Sequence, residues 1–262
     1  MPRSPRSLLL SDPAAWGLPR AGRFGHSAVI LDRAESTMDE VWQRVDEEEE
    51  GLIVLAEVQQ SGRGRFQRPW IVPAGTSVQI SLLARPPLSA LGQLPMLLAL
   101  AAAEAIEQTT GLTIAIKWPN DLLIGGRKTA GVLVESRIEG EQATVVGGLG
   151  INVNFDPAQI DGIPATATSL MVETGSLVDR RRLLEALLEQ IDHHYDQLLT
   201  GISPLMLWRA RIETISRQVA VKAGARTLRG TATGVDREGR LIIRTDAGVI
   251  EALAAGEVTL QE

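Results

Sequence analysis

The run from Leu94 to Thr110, LPMLLALAAAEAIEQTT, constrains this chain more than any other segment. Apolar residues fall almost all round it when it is wound as a helix, so it belongs in an interior. The neighbouring segments read as strands. Leu52 to Ala56 is a buried-strand run, Thr76 to Leu83 alternates, and Thr113 to Trp118 is extended again. Leu122-Leu123-Ile124 then turns through Gly125-Gly126 into Ala130 to Val134, and Glu139-Gly140 turns into Ala143 to Gly148. Glycine at such turns supplies the positive φ that tight hairpins require.

Before this block, Ser27 to Arg33 predicts a short strand. Ser36 to Glu40 opens a helix in which Thr37 and Glu40 have capping-box spacing, and Gly51 stops it. Asp46 to Glu50 places five carboxylates at its end, read as a solvated face. After Asn154 a loop runs to about residue 174. An amphipathic helix follows from Asp179 to Leu199, then a shorter one from Pro204 to about Glu213. From residue 215 the character changes to short strands split by turns such as Asp236 to Gly239. The expected architecture is an α/β (α+β) unit over residues 23–214 with a small β barrel over 215–262. Residues 1–22, rich in Pro, Arg, Ser and Gly, predict a poorly ordered leader too short for a winged helix-turn-helix domain. No DNA-binding module is expected there.

The composition excludes several chemistries. With no cysteine there is no disulfide framework, thiolate nucleophile or cysteine zinc site. Three histidines remain: His26, His193 and His194, the last two adjacent on a helix and read as a solvated or half-buried face. An enzyme built from this sequence works with arginine, lysine, carboxylate and amide groups. The net charge of −6 argues against a general nucleic-acid binder. No uninterrupted apolar run reaches the roughly 20 residues of a bilayer span, and Leu8-Leu9-Leu10 is too short for a signal peptide, so a cytoplasmic location is expected.

Three segments carry the charge and the glycine. Gly62-Arg63-Gly64-Arg65, continuing to Arg68 and Trp70, lets backbone amides approach an anion while guanidinium forks close over it. Basic glycine loops also bind RNA or nothing, and the P-loop spacing is absent. Lys117-Trp118-Pro119-Asn120-Asp121, followed by Arg127 and Lys128, forms a cluster with two readings. It neutralises a triphosphate and holds Mg²⁺ through Asp121, or it is a salt-bridged hairpin with Asp121 paired to a lysine. Gly147-Gly148-Leu149-Gly150, ending at Asn152, lets a planar ligand pass close to the backbone; it does not fit the dinucleotide fingerprint, since Val153 takes the third glycine's place.

Together these segments resemble the biotin–protein ligase family. Gln59 to Arg65, Lys117 to Asp121, Arg127 to Leu133 and Gly150-Ile151-Asn152 occur in that family's order and spacing, and the likeness covers about residues 27–262. The resemblance implies a central mixed sheet with helices, a small SH3-like C-terminal barrel and commonly a homodimer. It implies biotin and ATP as substrates, Mg²⁺, and transfer of biotin to a lysine of the biotin carboxyl carrier protein of an acetyl-CoA or related carboxylase, with no DNA or membrane partner. By the same resemblance Ser36, Thr37, Met38, Gln59, Gly64 and Gly131 lie around biotin, and Arg63 and Arg65 close over its carboxylate and the adenylate. Lys128 stands at the reacting carboxylate and phosphate. Lys117, Asn120, Asp121, Arg68, Trp70, Gly150 and Asn152 surround the nucleotide, with Asp121 toward Mg²⁺. Two departures stand out. Met38 occupies the place of an asparagine, and the Ala165 to Leu170 loop lacks a tryptophan that some relatives use.

The physical task implied is to join two anions, with cations offsetting their repulsion. Rival readings are a lipoate or octanoate ligase of related architecture and a non-catalytic module that binds RNA through its barrel. The GRGR loop weighs against the first, and the 3% aromatic content against the second.

Overall fold

The computed structural model describes residues 12–224 and 226–260. The chain runs β1 (Ser27–Ala34), α1 (Thr37–Trp42), β2 (Leu52–Gln59), β3 (Ser77–Ala84) and α2 (Leu94–Thr110). It continues through β4 (Ala115–Lys117), β5 (Asp121–Ile124), β6 (Arg127–Glu139) and β7 (Gln142–Asn152). Three helices follow: α3 (Leu170–Thr174), α4 (Arg180–Leu199) and α5 (Leu205–Ala210). Five strands end it: β8 (Gln218–Ala223), β9 (Arg226–Val235), β10 (Leu241–Thr245), β11 (Ile250–Leu253) and β12 (Glu257–Leu260).

The first seven strands form one sheet in the order β1-β2-β3-β7-β6-β5-β4. Only β1 and β2 pair in parallel, joined across α1, so the sheet is mixed. Alternation along the strands divides its faces. Ile53, Leu55, Ile80, Leu82 and Leu149 pack with α2 and α4 in the main core. Leu52, Val54, Leu83 and Val146 turn the other way and pack with Met38 and Val41 of α1. The segment Leu88–Thr110 has the length and composition of a membrane span, yet in this fold it is mostly buried inside the protein.

The glycines of β7 obey the same alternation. A Cβ on Gly147 would lie 2.6 Å from the Leu98 side chain of α2, whereas one on Gly148 would lie 2.9 Å from Met38 Sδ beneath α1. Glycine is needed on both faces because something packs close on both.

The last five strands form an antiparallel sheet, β11-β10-β9-β8-β12, burying Val219, Val221, Ala232, Leu241, Ile243 and Val258. Trp118 fastens it to the first unit. Its indole Nε1 donates to the Gly239 carbonyl at 2.9 Å, and its backbone N donates to Thr214 Oγ1 at 3.1 Å.

Four expectations need correction. Within the 1–22 leader, the described part is anchored: Trp16 and Leu18 are buried, and the Trp16 ring lies 5.0 Å from the Arg180 guanidinium. Residues 1–11 lie outside the described residues. The capping box does not form, since Ser36 is the N-cap and Thr37 Oγ1 is engaged with Gln59 and Ser81 instead. The helix ends at Trp42, so the carboxylates from Asp46 lie in turns. Glu50 accepts from Tyr195, Arg23 and the Arg85 backbone, which ties it in place. His194 is buried, with Nε2 2.7 Å from Glu104 Oε2, because α4 packs along α2.

Candidate active site

The α1 face of the sheet opens into a cavity of about 650 Å³. Its floor is β3 to β7, its lid the 62–71 loop, and its walls residues 162–167 and β12. All sixteen residues expected at the site line it.

At one end, Thr37 N and Oγ1 both donate to Gln59 Oε1, at 2.8 and 3.1 Å, and Thr37 Oγ1 lies 2.8 Å from Ser81 Oγ. Gln59 Nε2 donates to Gln79 Oε1 at 2.9 Å. This chain fixes the Gln59 amide, oxygen toward Thr37. Ser36 borders it, and Met38 walls it with a buried thioether over Gly148.

The lid crosses the middle. Arg63, expected over a ligand carboxylate, directs its fork at protein instead: Asp39 accepts at 3.0 and 2.8 Å, and Glu135 stands 3.3 Å away. The Asp39 hydrogen bonds lead in holding its pKa above the ordinary arginine value. Arg63 is therefore a clasp between the loop, α1 and β6. Arg65 makes one long hydrogen bond, 3.3 Å to Asn120 Oδ1, stands 5.0 Å from the centre of the Phe66 ring, and has no ion pair among the described residues. Burial lowers its pKa, against the opposing pull of Asp121 and Glu257. A desolvated guanidinium whose donors are mostly unspent is ready for an anion. Arg68 pairs with Glu257 of β12 and so ties the lid to the C-terminal sheet. Gly64 closes the loop on itself, its N–H donating to the Arg68 carbonyl at 2.8 Å.

Trp70 lies flat on the glycine floor. A Cβ on Gly150 would sit 2.5 Å from its ring, and Gly131 lies beside it. The buried Trp70 Nε1 has no hydrogen-bond partner among the described residues.

Lys128 stands against this ring, Nζ 5.5 Å from its centre, and 2.6 Å from Asp121 Oδ1. The salt-bridged hairpin is thus present. Asn152 Nδ2 donates to the Thr168 carbonyl at 3.0 Å, and Lys128 holds the same loop by backbone bonds to Thr166 and Thr168. Asn120 Nδ2 bonds the Val132 carbonyl. Lys117 has no ion pair among the described residues. Motif spacing did not reveal Glu213, Glu257 or residues 162–164 as cavity residues, because they arrive from distant parts of the chain; the Ala165 to Leu170 loop, which the resemblance puts on the adenine side, contributes Thr166 and Ala167 to the wall.

A glycine-paved sheet face under an arginine lid, with lysines beside a carboxylate, defines a ligase-type site, one that gathers two anions before a bond is made. The Biotin/lipoate A/B protein ligase family matches residues 30–152, and the biotin protein ligase C-terminal domain matches residues 214–260. The Biotin--[acetyl-CoA-carboxylase] ligase of Paracoccus denitrificans is 34% identical over 239 residues, which are 87% of this chain and 98% of that protein. The Bifunctional ligase/repressor BirA of Bacillus subtilis is 38% identical over 216 residues, 79% of this chain but only 65% of that longer protein. Among solved structures, the biotin protein ligase from Aquifex aeolicus in complex with biotin and ATP superposes with a TM-score of 0.75. Its identity is 27%, covering 90% of this chain and 98% of that one. The chain belongs to the biotin protein ligase family.

Proposed function

We propose that the protein activates biotin with ATP as biotinyl-adenylate, releasing pyrophosphate, and then passes biotin to a lysine of a carrier protein. The carrier is the biotin carboxyl carrier domain of an acetyl-CoA or related carboxylase. One observation carries the reading: Arg65, Lys117 and Lys128 share a cavity with the fixed Thr37–Gln59 polar chain. The polar chain suits the ring end of biotin, and the cations suit its carboxylate and the phosphates.

A carboxylate attacking phosphorus meets mutual repulsion, which nearby cations in a water-poor site offset far better than bulk solvent does. Arg65 supplies such a cation. Lys128 leaves Asp121 for the reacting oxygens, at a modest cost because that pair is partly exposed. The lid keeps water from the mixed anhydride until an amine arrives. No group of three or more His, Cys, Asp or Glu that could cage a metal occurs among the described residues. Magnesium held mainly by a triphosphate needs only one or two protein carboxylates, and Asp121 fits that need. Mg²⁺ would supply charge neutralisation at the phosphates.

The test is pyrophosphate release from purified protein with ATP and biotin, with lipoate and octanoate in parallel. Release with biotin is expected; release with lipoate but not biotin would overturn the substrate. The reading extends to a cytoplasmic compartment and a homodimer, the latter checked by sedimentation with and without biotin and ATP.

A further inference from the structure

Beyond α5 the chain runs alongside β4. Ile116 N donates to the Arg211 carbonyl at 2.8 Å, Glu213 N donates to the Ile116 carbonyl at 3.0 Å, and Ile116 faces Ile212 in parallel register. Ile116 and Ile212 turn into the core. The next residue on each segment points the opposite way, so Lys117 and Glu213 lie side by side on the cavity floor. The register carries the row onward: Lys117 faces Asp121, Asp121 faces Gly131, and Gly131 faces Gly150. Charge therefore alternates along the floor, Glu213, Lys117, Asp121, and ends on bare glycine.

Three carboxylates line the cavity, and two are engaged: Asp121 by Lys128, Glu257 by Arg68. Glu213 has no ion pair among the described residues, and the adjacent Arg211 turns away to Glu104 and Glu107. The other charged groups bordering this space are Lys117, Arg65 and Arg63. The adenylation step uses cations, so a half-buried carboxylate with no ion pair among the described residues has no task in it. The second step has one. A lysine arrives almost wholly as the ammonium ion, its ordinary pKa being about 10.4, and must shed a proton before it can attack.

We propose that Glu213 receives the acceptor lysine, holding its ammonium at the cavity floor and taking the proton that the amine must lose. The inference rests on the ligase reading above. The proton passes from nitrogen to a Glu213 oxygen, and the free amine forms a C–N bond at the biotinyl carbonyl carbon. The bond from that carbon to the adenylate oxygen breaks, AMP leaves with the electron pair, and the second N–H proton passes to water.

The test supplies chemically made biotinyl-adenylate to wild type, Glu213→Gln and Glu213→Asp, and follows single-turnover transfer to two nucleophiles across pH. One is a biotin carboxyl carrier domain; the other is hydroxylamine, which is largely unprotonated at neutral pH. For Glu213→Gln, transfer to the carrier lysine is expected to fall about 100-fold, the usual scale of a lost general base, and to recover as pH rises. Hydroxylamine should react within about threefold of wild type, and Glu213→Asp should regain part of the carrier rate at neutral pH. Equal loss with both nucleophiles, or undiminished carrier transfer in Glu213→Gln, would overturn the proposal. Should Glu213→Gln not fold, Glu213→Asp decides: a carrier rate that falls relative to the hydroxylamine rate supports the proposal, and an equal change with both nucleophiles overturns it. Wild type unable to transfer biotin from the supplied adenylate would instead sink the ligase reading itself.

Discussion

Lys128 Nζ stands 2.6 Å from Asp121 Oδ1 because the register between β5 and β6 slips by one residue. Leu122 faces Ala130, but Leu123 faces Lys128, leaving Thr129 as the extra residue of a bulge. Ala130 and Val132 turn into the core. Strict alternation would send Lys128 there too; the bulge turns it onto the cavity face instead. That is why a lysine two residues from a core alanine reaches the cavity.

Lys128→Ala is therefore expected to lose biotin-dependent pyrophosphate release by about 100- to 1,000-fold, the scale of one lost transition-state donor. The lysine is partly exposed and its ion pair contributes little to folding, so the melting temperature should barely move. Normal pyrophosphate release would remove Lys128 from the chemistry.

Much of this arrangement was legible in sequence, for definite physical reasons. The all-round apolar pattern of Leu94 to Thr110 permits only a buried helix, and the structure has α2 over those residues. Asp179 likewise caps α4, accepting from the amides of Arg181 and Arg182. Segments whose partners lie far away in sequence were not legible. The Thr37 hydroxyl looks like a helix cap until Gln59 and Ser81 come within reach. Arg63 looks like a ligand fork until Asp39 and Glu135 fill it. The stretch around Trp16 reads as loose from its prolines and glycines, although Trp16, Leu18 and Phe24 carried the signal of an anchored segment. No motif marks Glu213, whose place depends on a parallel bridge to β4.

Arg65 differs from Arg63 in having no ion pair with a carboxylate among the described residues, so its binding energy is free for a ligand. Arg65→Gly is expected to raise the dissociation rate of biotinyl-adenylate about 10- to 100-fold, since hydrogen bonds to charged groups contribute about 1.5–3 kcal/mol. The measurement is release of the pre-formed intermediate into a chase of unlabelled biotin. An unchanged release rate would mean the lid holds the adenylate by other contacts.

Gly150 and Trp70 give a steric prediction. A methyl group at position 150 would come within 2.5–2.7 Å of the indole, a distance that forces the ring off the floor. Gly150 itself carries no positive φ, so backbone strain does not confuse the result. Gly150→Ala is expected to raise the KM for ATP by about tenfold, equal to 1.4 kcal/mol of lost binding, while the KM for biotin changes less. Equal effects on both substrates would show that Trp70 does not belong to the nucleotide end alone.

Far from the cavity, Glu104 ties α2 to His194 of α4 and to Arg211 beyond α5. Burial pushes its carboxyl up, and the His194 and Arg211 contacts more than offset this, leaving its pKa below the ordinary value of 4.5. A carboxylate whose folded pKa is depressed stabilises the fold at pH values above its unfolded pKa. That contribution disappears as pH falls through the folded pKa. Glu104→Gln should therefore lower the melting temperature at pH 7 by roughly 2–4 °C, corresponding to about 1 kcal/mol. The deficit should hold steady down to the ordinary carboxylate range and close below it. Melting curves of both proteins from pH 7 downward decide the matter: a deficit that persists undiminished in acid would assign the loss to packing between α2 and α4 and not to the charge on Glu104.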